Sequence, residues 1–361
     1  KCTGCGACWV QCPDAAIPGL VTEVEALMET AVDFGSQGRS LERIRALVGP
    51  LAAELRERLA SDSHGGIAEE LRSAYASVVL RYPLSPDQRN QLDDEFGALV
   101  SLLADFPVAK TVPFYKVPES REKGSGGLLS ITVNPGACKG CNLCVAVCPD
   151  GALVPAKQDD EIDGRLRRAW TFWERLPDTP DRFVSVSDYR KGNGILPTLL
   201  LKKRNYGAMV GGDGACNGCG EKTAMHLIVA AVEAATQERV GPFVSRLEAL
   251  IRSLEEKAGG LLVSRADIDA IDPDATVSLE VALDGPGRER LERLTQGIRE
   301  LRDLHWRYTS GPSGRGRASL SMTNATGCSS VWASTYPYNP YPFPWVSHLF
   351  QDAPSVLSLI H

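Results

Sequence analysis

The sequence of 361 residues predicts an α+β molecule: a small cysteine-rich unit, split by a helical insertion and followed by a further domain. Three observations predict it. One cysteine pattern occurs twice, near the start of the chain and again from Cys138. Between the copies, apolar residues recur at three- and four-residue spacing, with Arg and Glu on the other face. Beyond the second copy, a glycine-rich loop with two more cysteines leads into another apolar helix.

The first copy reads Cys2-x-x-Cys5-x-x-Cys8-x-x-x-Cys12-Pro13, and the second Cys138-x-x-Cys141-x-x-Cys144-x-x-x-Cys148-Pro149. This is the ligand run of bacterial ferredoxins, and its paired occurrence is the signature of two [4Fe–4S] clusters. Three thiolates on one Gly-containing loop reach three irons of a cubane, and in two-cluster ferredoxins the fourth Cys ligates the other cluster. One cluster is therefore assigned Cys2, Cys5, Cys8 and Cys148, and the other Cys138, Cys141, Cys144 and Cys12. Zinc is the alternative, because Cys-x-x-Cys pairs also bind it. Zinc takes four ligands and has no need of the Cys-Pro ending.

The first half of this α+β ferredoxin-like dicluster unit runs from Lys1 to about Gly19, and the second from about Leu128 to Pro155. The helical insertion spans about 20–112. Val21 to Phe34 and Leu41 to Leu59 read as helices, the second interrupted at Gly49-Pro50. Ser61 to Gly66 is a loop and Ile67 to Leu80 a helix. Ser85-Pro86-Asp87 opens another that reaches about Asp105. Helices packed on one another are the plain reading of this stretch, and a partner-docking bundle the sharper one. Val112 to Gly127, rich in Pro, Gly and Ser, reads as a loop. From Ala156 to Gly207 the sequence is irregular, except for a basic and aromatic stretch, Arg165 to Trp173. That stretch is expected to form a short amphipathic helix leaning on the cysteine-rich unit. Alternating bases and aromatics also suit stacking on nucleic acid, but a net charge of −6 leaves no footprint for nucleic acid.

The third cysteine constellation is Gly214-Ala215-Cys216-Asn217-Gly218-Cys219-Gly220-Glu221, entering a helix from about Lys222 to Ala235. Its three glycines let the backbone close around a bulky ligand. Much later comes Thr323-Asn324-Ala325-Thr326-Gly327-Cys328-Ser329-Ser330. In this order after the paired ferredoxin motif, these segments resemble the C-terminal part of the 2-oxoacid:ferredoxin oxidoreductase family, of the pyruvate synthase type. The aromatic-Pro stretch through Trp345, ending Leu349-Phe350-Gln351-Asp352, is similar to the segment that follows in the family. The resemblance covers the ferredoxin unit, about residues 207–236 and about residues 318–353, and leaves the insertions uncovered.

The resemblance implies that residues 157–361 are part of an α/β thiamine-diphosphate-binding domain, after a ferredoxin-type domain over residues 1–156. It implies a third [4Fe–4S] cluster nearest to thiamine diphosphate, with Cys216, Cys219 and Cys328 as three of its four ligands. The fourth ligand, and the Gly-Asp-Gly…Asn motif that holds the diphosphate through Mg²⁺, are expected outside this chain. Gly212-Asp213-Gly214 lacks the downstream Asn pattern and is read as loop. Glu221 is implied to contact the thiamine. The alternative is an acidic residue favoured in the first turn of a helix. The implied reaction is oxidative decarboxylation of a 2-oxoacid, most simply pyruvate with coenzyme A to acetyl-CoA and CO2. Thiamine would supply the carbanion stabilisation, and electrons would leave singly through the clusters to ferredoxin or flavodoxin. A second reading is a non-catalytic, polyferredoxin-like electron-transfer module, and a third keeps the enzyme but changes the 2-oxoacid. The full enzyme is expected to be a homo-oligomer, and this chain alone is expected to be inactive.

An insertion over about 237–316, with helical pattern at Val244 to Leu254 and Glu289 to Leu304 and a short strand at Val277 to Leu283, separates Cys219 from Cys328. It must fold away for these cysteines to meet, which closure entropy tolerates. His64, His226, His305, His348 and His361 form no ligand spacing, and His226 reads as a core residue. Trp332 to Trp345 reads as an extended wall, and Arg315-Gly316-Arg317 as a solvated turn. No stretch approaches the roughly 20 apolar residues of a membrane span; the best, Leu227 to Ala235, is broken by Glu233. Ten of the 11 cysteines fall in ligand-like spacings and Cys328 has no evident disulfide partner, so a reducing, cytoplasmic setting is expected. A chain opening at Lys1 inside a motif is expected to be a fragment.

Overall fold

The structure, a computed structural model, describes residues 2–36, 40–60, 66–184, 194–211, 214–263, 285–324, 327–333 and 341–347. The described residues form two compact units, one of those within Lys1–Ala231, Thr323–Tyr341 and Trp345–His361, the other of those within Val232–Met322 and Pro342–Pro344.

In the first unit a three-stranded antiparallel sheet divides two hydrophobic cores. A short helix α1 (Ala7–Gln11) precedes β1 (Gly19–Thr22), and β2 (Val108–Ala109) and β3 (Leu128–Ile131) complete the sheet in the order β1-β3-β2. Gly19 opposes Ile131, Thr22 opposes Leu128, and Val108 opposes Ser130. Successive side chains of a strand point to opposite faces. Leu20 and Leu128 therefore enter the core of the helical insertion, while Val21 and Leu129 enter the core under the cysteine loops. All four residues of β1 are buried. A strand buried on both faces carries no alternation of polar and apolar residues. The reading of helix from Val21 is corrected on this point, since the helix begins only at Val24.

The insertion holds α2 (Val24–Ser36), α3 (Glu42–Ala46), α4 (Val48–Ala60), α5 (Ile67–Val79) and α6 (Pro86–Asp105). Gly49-Pro50 does not interrupt a helix: the break falls at Leu47, and Pro50 lies in the first turn of α4. A first-turn N–H has no intrahelical partner, so proline loses nothing there. Residues 61–65 of the expected loop lie outside the described residues. Helix α6 opens on a reciprocal cap, in which Ser85 Oγ accepts from the Gln88 amide at 3.3 Å and Gln88 Oε1 accepts from the Ser85 amide at 3.0 Å. Leu51, Leu55, Leu71, Val78 and Leu99 fill the core, and Tyr75 stacks on Phe96 with ring centroids 3.7 Å apart.

The expected loop after Val112 is instead helical. A π-turn, Val112–Lys116, runs directly into α7 (Val117–Arg121). Each has its proline near its start, where it initiates rather than breaks a turn. Phe114 and Tyr115 are buried by this arrangement. After α8 (Leu143–Ala146), helix α9 (Asp160–Arg175) is capped by Asp159, whose carboxylate accepts from the Ile162 amide at 2.8 Å. The helix expected at Arg165 to Trp173 is thus longer, and it leans on the helical insertion rather than on the cysteine unit. Phe172 meets Phe34 and Phe106 edge-on, with centroids 5.4 and 4.8 Å away. The cysteine unit is covered instead by α10 (Ile195–Leu199) and α11 (Lys203–Tyr206). Trp9 is wholly buried there and donates its indole N–H to Pro197 O at 3.0 Å.

Helix α12 (Gly220–Val263) is one continuous helix of 44 residues, not a short helix followed by a second. It continues through Pro242, which withholds one ladder hydrogen bond. In the second unit its later turns form an antiparallel hairpin with α13 (Gly285–Thr309). Glu255 meets Arg302 at 2.7 Å, Glu248 meets His305 at 3.1 Å, and Phe243 packs on Tyr308. The expected strand at Val277 to Leu283 lies outside the described residues. Finally β4 (Met322–Asn324) and β5 (Trp345–Ser347) form a two-stranded sheet, with α14 (Cys328–Trp332) between them in sequence.

Candidate iron–sulfur site

The two cysteine loops are built alike. Gly4 and Gly6 adopt left-handed backbone (φ 79° and 84°), and their counterparts Gly140 and Asn142 do the same (67° and 62°). Glycine enters this region freely, and asparagine is the side chain that tolerates it best. Gly6 and Asn142 then cap α1 and α8. The third cysteine of each loop, Cys8 or Cys144, thereby falls in a helical first turn, and the fourth, Cys12 or Cys148, leaves the far end. Each fourth thiol accepts from the amide four residues on: Ala16 N to Cys12 Sγ at 3.3 Å and Ala152 N to Cys148 Sγ at 3.2 Å.

Helices α1 and α8 pack on each other, and this carries each fourth thiol towards the other loop. Ionising one thiol therefore disfavours ionising its neighbours: besides burial, Cys2 is raised by Cys5 and Cys148, Cys8 and Cys12 by Cys144, and Cys144 by Cys138 and Cys141. Cys2, Cys5, Cys8 and Cys148 line one cavity of about 320 Å³, walled by Trp9, Val108, Leu129 and Ile131. Among the described residues no three His, Cys, Asp or Glu side chains converge on a single ion-sized point. A cubane takes each thiolate on a different iron, so it needs thiols around a cavity rather than a point. The four thiols and the apolar wall fit such a group.

Burial governs the thiols. It pushes Cys8 up to about 12, reinforced by Cys2, and Cys12 up to about 11, against the opposing amides of Ala16 and Asp14. Cys2 and Cys144 are raised for the same reason. At Cys148 burial also acts upward, but the amides of Ala152, Asp150 and Leu153 together outweigh it and lower the thiol. Buried thiols hold their protons until a cation displaces them, so cluster assembly here releases protons.

The third constellation lies against the second loop. Lys139 Nζ donates to Ala215 O at 2.6 Å, and a Cβ on Gly218 (φ 72°) would stand 3.1 Å from Leu143. A Cβ on Gly214 would stand 2.9 Å from Val331 Cγ1, which seats the helix of Cys328 beside the Cys216 loop. Cys216 and Cys328 are exposed, and Cys219 is half-buried. Cys219 Sγ accepts from the Lys222 amide at 3.5 Å. Glu221 is exposed in the first turn of α12. Residues 212–213 and 325–326 lie outside the described residues.

Sequence reasoning passed over Lys139, Tyr206 and Lys222. Lys222 is wholly buried and meets Asp14 Oδ1 at 2.9 Å. Tyr206 is also buried, its hydroxyl accepting from the Ile17 amide at 3.0 Å. His226, read as a core residue, is fully buried; its Nε2 lies 2.8 Å from Tyr206 O, and burial lowers its pKa to about 4. Nothing local in the sequence signals the Asp14–Lys222 contact, since Asp150 stands in the same Cys-Pro-Asp run and is exposed.

Residues 131–154 match the family described as 4Fe-4S binding domain, a stretch that holds Cys138, Cys141, Cys144 and Cys148. No curated protein and no solved structure matches the chain. The chain thus carries a ferredoxin-type 4Fe–4S binding domain, with at least one [4Fe–4S] cluster and a role in iron–sulfur electron transfer with a redox partner. Among the described residues no helix is long and apolar enough to cross a membrane.

Proposed function

We propose that the chain is the iron–sulfur portion of a 2-oxoacid:ferredoxin oxidoreductase, acting on pyruvate or another 2-oxoacid with coenzyme A in the cytoplasm. Ferredoxin or flavodoxin would accept the electrons. The observation that carries this reading is the seating of the Gly214–Gly220 loop on the second ferredoxin-type loop. Lys139, between Cys138 and Cys141, holds the carbonyl next to Cys216, and Leu143, next to Cys144, closes on the glycine next to Cys219. Val331 brings the Cys328 helix to the same loop. A carrier of two clusters has no use for a third cysteine loop fastened in this way. Each [4Fe–4S] cluster, when bound, takes and gives up one electron. The chain's part is to line up the thiols: Cys216, Cys219 and Cys328, then Cys138, Cys141, Cys144 and Cys12, then Cys2, Cys8, Cys148 and the exposed Cys5. Glu221 would contact thiamine diphosphate, whose Mg²⁺ site the family resemblance puts outside this chain.

The runner-up is a non-catalytic electron-transfer module, favoured by the exposure of Glu221 and by a family match confined to residues 131–154. The two separate in an anaerobic experiment. In the oxidoreductase reading, the chain joined to the polypeptide bearing the diphosphate motif is reduced by pyruvate only with thiamine diphosphate, Mg²⁺ and coenzyme A present. Cys216→Ser abolishes that reduction and spares reduction by dithionite. If no 2-oxoacid reduces the assembled protein, or if Cys216→Ser leaves the reduction unchanged, the electron-carrier reading takes its place.

A further inference from the structure

The two ferredoxin-type halves share the sequence Cys-Pro-Asp at their fourth ligand position, yet the two aspartates live in opposite surroundings. Asp150 is exposed and accepts from Thr3 Oγ1 at 2.7 Å. Asp14 is 3 % exposed, and its carboxylate meets Lys222 Nζ, itself wholly buried, at 2.9 Å. A buried carboxylate without a partner is strongly unfavourable. Lys222 reaches it from the first turn of α12, while its backbone N–H faces Cys219 Sγ at 3.5 Å. One turn on, His226 lies on the same helical face and grips Tyr206 O. After burial, the groups acting on the Cys12 thiol include the amide and the carboxylate of Asp14.

We infer that Lys222 is a positioning residue for the cluster that Cys12 helps to hold: by neutralising Asp14 it sets how readily that cluster accepts an electron. The inference rests on the reading of Cys12 as a cluster ligand. Potentials of such clusters respond to nearby charge and to burial. An uncompensated carboxylate opposes the extra negative charge of the reduced cluster, and an uncompensated ammonium favours it.

The test is an EPR-monitored redox titration of the anaerobically reconstituted holoprotein. Lys222→Met is expected to lower the reduced-to-oxidised ratio of one cluster at fixed potential about tenfold, which for a one-electron couple is about 59 mV. Asp14→Asn is expected to raise it by about the same factor. The double variant should return to within about twofold of the parent, and Asp150→Asn should leave the ratio of this cluster within about twofold, because Asp150 is exposed and lines the cavity of the other thiol set. A structural role would move both single variants the same way or strip the cluster from each. Single variants that both leave the ratio within twofold, or that shift it in one direction, overturn the inference, as does a double variant that fails to return. Should Lys222→Met not fold, Asp14→Asn alone decides, and a ratio that is unmoved or lowered overturns it. A parent protein with no [4Fe–4S] signal at all removes the ligand reading itself, an outcome distinct from clusters present with unmoved potentials.

Discussion

Left-handed residues shape both cysteine loops, but what stands opposite them differs. A Cβ on Gly6 would lie 2.5 Å from Pro197 Cβ and 2.9 Å from the Trp9 ring, whereas one on Gly140 would meet nothing within 4 Å. Gly140→Ala is therefore expected to cost only the left-handed penalty, about 1–2 kcal/mol. Gly6→Ala adds overpacking of about 1–3 kcal/mol. Urea midpoints of the two variants, at equal m, check the order. His226 gives a pH signature at the same scale. Its folded pKa of about 4 lies below the ordinary 6.5 because burial disfavours the imidazolium. Between those values the unfolded chain binds the extra proton, so the stability His226 contributes is complete above about pH 6.5 and is lost as pH falls towards 4. The loss reaches about 3 kcal/mol. Unfolding of His226→Gln against the parent at pH 7.5, 5.5 and 4.5 checks this: the gap between them should narrow as pH falls.

Helical elements whose signal is local were legible in the sequence, and those decided by tertiary contact were not. Ser85-Pro86-Asp87 announces the start of α6, and the structure adds the reciprocal cap between Ser85 and Gln88. Ser85→Ala is expected to destabilise the protein by about 1 kcal/mol, seen as a lower thermal midpoint with unchanged iron content. Strand β1 escaped notice because Leu20 and Val21 face two different cores, so its burial pattern has no period. Val112 to Arg121 escaped because its prolines read as breakers, although each sits where a turn begins. Continuous passage of α12 through Pro242 was equally hidden, since proline alone argues for a break. Leu20→Ala should cost about 2–5 kcal/mol, as befits a fully buried leucine, seen as a lower urea midpoint.

For the whole molecule, the cysteine pattern names candidate ligands but not what surrounds them. Asp14 and Lys222 are 208 residues apart in sequence, and Lys139 and Ala215 are 76 apart, distances over which no spacing rule operates. What the pattern does assert is crossed ligation, and the geometry makes this testable by counting iron. Anaerobically reconstituted protein is expected to hold about eight irons in its two ferredoxin-type clusters, by cubane stoichiometry. Stoichiometric zinc in their place would remove the iron–sulfur reading. Because α1 and α8 lie together, Cys148 meets the charge of Cys2, and Cys12 that of Cys144. Removing two ligands from one cluster should then differ from removing one ligand from each. Cys5→Ser with Cys148→Ser strikes a single cluster and should leave about four irons, with the other cluster's EPR signal intact. Cys5→Ser with Cys12→Ser strikes both and should leave close to none. The reverse outcome, about four irons for the Cys5/Cys12 pair and none for the Cys5/Cys148 pair, would mean that each loop closes its own cluster.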